Sequence, residues 1–199
     1  MRTFDVPYMD KIDWERVPEL RIDRHLWSDV RSIVPIAQIC WNGEGLHLRL
    51  QTREQDILRR FTGLYDMVCQ DSCLEFFFCP EETGDRYFNF ETNPNGALYV
   101  GFGRPGADRA RLIRSNWNVL FAVKPYDIPG GWGVELHIPV RFIQIFVPEF
   151  TLRPGMILRA NFYKCGDDTA QHHYIAWNAV DHPTPNFHLP QYFGELHLK

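Results

Sequence analysis

Short runs of aromatic and branched apolar residues, each cut off by Gly, Pro, Asn or Asp, recur along the whole chain and set the tightest limit on what it can fold into. They read AQICW, GLHLRLQT, SCLEFFFCP, RYFNFETN, GALYVGFG, NVLFAVKPYD, GWGVELHIP, ILRANFYKC, HHYIAWN and YFGELHLK. Runs of this length with such punctuation suit strands and leave little room for helices. The intervening WNGEG, NPNG and IPGGWG supply the residues that hairpin turns need. The reading is an all-β chain, an antiparallel β-sandwich of jelly-roll or immunoglobulin-like kind. Helix is expected only in short pieces at DILRRFTGL, DRARLIRS and VRFIQIF. With 45% hydrophobic residues among 199, no internal repeat and no low-complexity linker, residues 1–199 read as one domain with a sizeable core.

The formal net charge of -4 gives the chain no general attraction for polyanions, so neither nucleic acid nor a membrane surface is expected as a partner. No charge-free stretch is long enough to span a bilayer, and the N-terminus MRTFDVPYMDKIDWERVPEL lacks the apolar segment of an export signal. The expected compartment is the cytoplasm, or the extracellular space if a leader has been removed. Cys40, Cys69, Cys73, Cys79 and Cys165 are an odd set with no CxxC pair, and they read as mostly free thiols.

Alternation within three strands separates two kinds of row. Leu74, Phe76 and Phe78 oppose Cys73, Glu75, Phe77 and Cys79; Phe88 and Phe90 oppose Tyr87, Asn89 and Glu91; Leu158, Ala160 and Phe162 oppose Arg159, Asn161 and Tyr163. The mixed rows could be the solvated face of an antiparallel sheet. Such faces favour Thr, Lys and Ser, however, whereas carboxylate, amide, guanidinium and phenol are the groups that hydrogen-bond sugar hydroxyls beside a ring face.

Other motifs carry less. GFGRPG, residues 101–106, has the glycine spacing of a dinucleotide loop, but Pro105 stiffens it and no alternation of strands and long helices surrounds it, so a hairpin loop is expected. Glu75 and Glu91 could serve a glycoside hydrolase if they flanked a bond at the required separation, which the sequence does not fix. Ser72 has no nucleophile elbow. His173, His182 and His188 follow no metal-ligand spacing, and no metal site is assigned. Calcium held by Asp167, Asp168 or Asp181 is left open, although GDD is more often only a turn. The arginines of RPGADRARLIR read as a solvated loop or helix.

Taken together, QDSCLEFFFCP, YFNFETNPNGALY and the long C-terminal stretch from LRANFYKCGD to HHYIAWNAVDHPTPNFHLPQYFGELHL resemble carbohydrate-binding module family 9, part of the DOMON-like group of sugar- and haem-binding domains. The resemblance implies non-catalytic binding of saccharide ends, xylan or cellulose fragments among them, with bound calcium in some members and attachment to a glycoside hydrolase in others. It implies a sugar held between aromatic faces, with Trp177 as one face, followed by Asn178, and with Glu75, Asn89 and Glu91 as polar partners. Arg159 and Asn161, from the alternation, and His188, from the stiff HPTPNFH loop, complete the expected ligand set. Cys69 stands where the family carries the second aromatic; Tyr65, Trp41 or another loop aromatic takes its place, or the ligand differs. The alternatives are a glycoside hydrolase using Glu75 and Glu91, and a haem-binding domain using Met67 or Met156 with a histidine.

Overall fold

The computed structural model describes residues 1–199, apart from the side chain of Ala107. Strands β1 (Thr3–Val6), β2 (Glu19–Arg21), β3 (Arg24–Leu26), β4 (Val34–Trp41), β5 (Gly45–Arg53), β6 (Cys73–Phe78), β7 (Tyr87–Thr92), β8 (Leu98–Gly103) and β9 (Ala110–Leu112) come first. Helix α1 (Trp117–Leu120), β10 (Lys124–Ile128), β11 (Gly131–Pro139), α2 (Val140–Ile143), β12 (Ile157–Cys165), β13 (Tyr174–Ala176) and β14 (Gly194–Leu198) follow. They build two sheets. The larger runs β1-β14-β12-β6-β7-β8-β9, with β13 paired to the C-terminal end of β12 beyond β14 and β3 paired to β13; the smaller runs β10-β11-β5-β4-β2. Every pairing is antiparallel except β1 with β14. The fold is therefore the expected β-sandwich.

The apolar rows close the space between the sheets. Leu74, Phe76, Phe78, Phe88, Phe90 and Phe162 from the larger sheet meet Leu46, Leu48, Leu50, Val134, Leu136 and Ile138 from the smaller. Each ring removed from water contributes about 1.5 to 3 kcal/mol, which is why the alternation of β5, β6, β7 and β12 fixes their register: a slip of one residue would exchange the two faces. Lys164 is the exception in the inner row. Its Nζ lies 3.0 Å from Glu54 Oε2 and 2.6 Å from His173 Nε2, and Trp132 Nε1 donates to Glu54 Oε1 at 2.5 Å. The charge is buried but fully partnered.

The expected helices fare unevenly. VRFIQIF supplies α2, while DILRRFTGL is irregular and DRARLIRS begins at the last residue of a 3-10 turn, Gly106–Asp108, and goes on into the short edge strand β9. NVL, expected as the start of a strand, belongs to α1. GFGRPG holds no dinucleotide loop: Gly101–Gly103 end β8, and Arg104–Gly106 open the hairpin connection to β9, where Gly103 has φ 142° and a Cβ would collide with the Asp108 carbonyl oxygen.

Candidate functional site

The polar rows are not a solvated face. Glu75, Asn89, Glu91, Asn161 and Tyr163 are buried, and residues 178–193 fold back over the outer surface of the larger sheet. Phe77, Tyr87, Tyr99, Tyr163, Val180, Phe187 and Phe193 form a second apolar cluster there, separate from the one between the sheets. Tyr163 stacks on Phe187 with centroids 4.0 Å apart, and Phe77 stacks on His188 at 5.2 Å. Where the covering loop leaves a gap, a cleft of about 250 Å³ opens between Tyr99, Asp167, Tyr174, Asn186 and Phe187, with Glu75, Glu91 and Cys165 at its floor.

Strand register assembles that floor. Glu75 lies directly opposite Glu91, and Glu91 opposite Tyr99. Burial pushes both carboxyl groups above the usual carboxylate range, and at Glu75 the Glu91 charge adds to the effect. Asn89 Nδ2 donates to Glu91 Oε1 at 2.7 Å, holding that carboxyl in place. Gly101 lies opposite Asn89, where a Cβ would collide with Asn89 Oδ1, so a side chain at 101 would displace the amide.

Arg109, in the turn before β9, forms one wall, and Arg111 of β9 braces the rim beside it. The Arg109 guanidinium donates to the Tyr87 hydroxyl at 3.0 Å and to His188 Nδ1, which also receives the Tyr87 hydroxyl proton at 2.9 Å. Burial first, then the Arg109 charge, lower the His188 pKa to about 3, so its ring is neutral with Nδ1 as acceptor. Arg111 lies over the Tyr99 ring at 4.5 Å and donates to the carbonyls of Leu64, Tyr65 and Asp66, tying that loop to the rim. The cleft thus offers protonatable acceptors, a fixed guanidinium and ring edges within one small volume.

The expected ligand set divides. Glu75, Glu91 and His188 line the cleft, with Asn89 just behind Glu91. Trp177 does not reach it. Its backbone N–H bonds to the Phe162 carbonyl at 2.9 Å, continuing the β12–β13 pairing in which Tyr163 faces Ala176. That register puts Trp177 on the inner side with Phe162, where it is 3% exposed and where a Cβ on Gly194 would lie 2.6 Å from its Cζ3.

Asn161 and Asn178 are structural too. Asn161 Nδ2 donates to the Asn178 carbonyl at 2.9 Å and its Oδ1 accepts from the Asn178 N–H, while Asn178 Nδ2 donates to the Tyr192 carbonyl at 2.7 Å. Together they fasten the start of the covering loop. Arg159 points toward the other end of the sheet and donates to the Gly84 carbonyl. Of the replacements for the second aromatic, Trp41 is buried against Tyr8 and donates to the Lys199 carbonyl, whereas Tyr65 is exposed beside the rim.

Arg109, Tyr99, Asp167 and Phe187 are cleft residues absent from the expected set. Arg109 was hidden because the arginine-rich segment reads as a solvated loop, and only its place beside Tyr87 and His188 draws one guanidinium inward. The histidines to which no metal site was assigned are dispersed: His173 joins Lys164, and His182 Nδ1 pairs with the Thr184 carbonyl near the surface. The candidate calcium carboxylates also separate, Asp168 pairing with Arg60 at 2.8 Å while Asp167 lines the cleft. Met156 lies in the core between the sheets, and Met67 at the cleft rim. A larger groove of about 510 Å³ beside β2 and β4 is lined by Ile22, Ile33, Pro35 and Ile36 together with charged residues, of which Glu19, Arg21, Asp23 and Arg53 are exposed. No helix among the described residues is long and apolar enough to cross a membrane.

Residues 8–198 match the sequence pattern of carbohydrate-binding family 9. The chain belongs to that family. Among solved structures, a protein from Bacteroides uniformis assigned as carbohydrate-binding is similar to this family 9 chain over 100% of its length and 99% of its own, with 25% identity and a TM-score of 0.84. A family 9 module from Caldicellulosiruptor kristjanssonii in complex with glucose shares the fold at TM-score 0.70 and 15% identity, over 100% of this chain and 96% of that one. The same organism's family 9 module in complex with cellotriose gives TM-score 0.70 and 16% identity, over 100% and 94%. No curated protein matches the chain.

Proposed function

We propose that the chain binds the end of a saccharide in the cleft over Glu75 and Glu91 without cleaving it. The observation that carries this reading is the convergence of two buried carboxyl groups, the Arg109 guanidinium and the Phe187 and Tyr99 rings on one small cavity of a family 9 chain. A carboxyl group that holds its proton can both donate to and accept from a hydroxyl, which suits a ligand made of hydroxyls. Arg109 adds a fixed fork of donors. Phe187 and Tyr99, rather than Trp177, supply the apolar faces, with Tyr65 exposed beside them for a second sugar unit. Glucose and cellotriose, bound by the Caldicellulosiruptor modules, make β-linked glucose chains the first ligands to try, with xylan fragments next.

The pair argues against hydrolysis. Glycosidases place their carboxylates on either side of the scissile bond, whereas Glu75 and Glu91 stand side by side on adjacent strands of one sheet face. A sugar would meet both from the same side. Calorimetry with glucose, cello- and xylo-oligosaccharides tests the proposal: saturable heat that disappears in Glu91→Gln is expected, without release of reducing ends. Absence of heat with all of these sugars at millimolar concentration would sink it. Attachment to a glycoside hydrolase is a separate expectation, to be tested by copurification.

A further inference from the structure

We propose that Cys73, Glu75 and Cys165 form a site for a soft or borderline divalent cation, zinc being the ion their chemistry suits, set in the floor of the cleft. The proposal goes beyond sugar binding and does not depend on it. The two cysteines face each other directly across β6 and β12, and Glu75, two residues along β6, projects from the same side. Their ligand atoms, two Sγ and one carboxylate oxygen, all lie within 4.8 Å of one another, and all three residues are buried. Cys165 Sγ approaches Glu75 Oε1 at 2.9 Å.

A tetrahedral zinc with Zn–S of about 2.3 Å and Zn–O of about 2.0 Å would hold such ligands roughly 3.5 to 3.8 Å apart, so small side-chain rotations close the triangle. Spacing along the chain conceals the set, because the third ligand arrives on a strand far away in sequence. Three protein ligands leave a fourth position. It faces the cleft, where Glu75 and Cys165 are lining residues and where Cys69, Asp167 and Glu91 stand around them. Two thiolates select zinc over calcium or magnesium, which prefer an all-oxygen shell.

The test uses the reduced full chain, with no sugar present, titrated with cobalt(II) as a spectroscopic probe and then with zinc. One equivalent of cobalt should produce thiolate-to-metal charge transfer together with the visible bands of a tetrahedral ion, and zinc should displace it. Cys73→Ser and Cys165→Ser should each lose the charge transfer or reduce it by half or more, while Cys40→Ser, a buried cysteine of the smaller sheet, should leave it unchanged. Should the serine variants fail to fold, X-ray absorption at the zinc edge of the wild-type chain decides the matter: two sulfur neighbours with oxygen completing the shell are expected. A shell without sulfur, no charge transfer with the reduced wild type, or a band that survives both serine substitutions would overturn the proposal. Because each readout is taken without saccharide, its failure leaves the sugar-binding reading standing, and failure of sugar binding leaves the metal site standing.

Discussion

The outer faces of the two sheets carry the same kind of sequence and meet opposite fates. On the smaller sheet, His47, Arg49 and Gln51 alternate with leucines, facing Glu135 and His137 of β11, and all remain half-exposed. On the larger sheet, Glu75, Asn89, Glu91 and Asn161 alternate with phenylalanines, leucine and alanine and are buried. Period-two alternation assigns a side chain to a face; what covers that face is decided by chain far away in sequence. Residues 178–193 close over the larger sheet. The wet face is held by water and surface pairs, while the covered face must satisfy each polar group internally, and where the cover is incomplete it presents concentrated polarity to a ligand.

The largest way to break this contrast is at the hinge between the inner face and the cover. Trp177→Ala removes a ring packed between Phe162 and Gly194 and should cost about 3 to 5 kcal/mol. Thermal or urea unfolding measures it. Sugar affinity of the fraction that remains folded should be unchanged, since Trp177 lines the core and not the cleft. A small stability loss with a large loss of binding would return Trp177 to the site.

Arg109→Ala comes next and acts on affinity. Arg109 is a cleft wall and the donor that holds His188 and Tyr87, so calorimetry should show at least a tenfold weaker saccharide complex, about 1.4 kcal/mol. Arg111→Ala, which should loosen the 64–66 rim without removing a donor from the cleft, is expected to weaken binding less.

The buried acids make the contrast depend on pH. Glu75 and Glu91 have raised pKa values in the folded state, so between the unfolded carboxyl value and the folded one the native chain holds protons that the unfolded chain has released. Stability from this source is complete below the unfolded value and falls as pH rises, by at most about 1.4 kcal/mol per pH unit for each group. The double variant Glu75→Gln, Glu91→Gln lacks this loss. Its advantage in melting temperature over the wild type should grow from about pH 5 to about pH 8. His173 and His188, each lowered to about 3, produce a separate loss toward acid that both proteins share. A constant difference across the range would mean the two carboxyl groups ionise freely and the covered face is wet.

How much of this was legible follows from the same contrast. Strands whose apolar rows alternate cleanly, β5, β6, β7 and β12, could be read off the chain, as could the sandwich they imply. Glu75 and Glu91, read from alternation and the family resemblance, and His188, read from the stiff HPTPNFH loop, all line the one cleft. Trp177 misled because AWN looks like the exposed end of a strand; its neighbour Ile175, buried on the inner side, carried the contrary signal. Arg109 could not be found from its neighbours, since a guanidinium in a charged segment gives no sign of which one turns inward. Strands β1, β2, β3 and β9 escaped for a simpler reason: at three or four residues they are too short for a period to register.

The smallest effect tests the wet side of the comparison. Arg49 Nε and Nη2 both donate to Glu135 Oε1, at 3.0 and 2.6 Å, and the guanidinium also lies over Trp14 at 4.8 Å. By distance this ion pair is as good as anything in the cleft. Yet water reaches both partners, so the free energy gained on pairing is offset by hydration given up and by the rotamer freedom of two long side chains. Glu135→Ala should therefore cost no more than about 1 kcal/mol, read as a shift in urea midpoint with unchanged slope, and added salt should shrink the difference. Arg49→Ala should cost somewhat more, because it also uncovers Trp14. If Glu135→Ala instead cost as much as removal of a buried partner, the two outer faces would differ in composition but not in dielectric environment, and the covering loop would no longer account for the contrast between them, which would have to come from the sheets themselves.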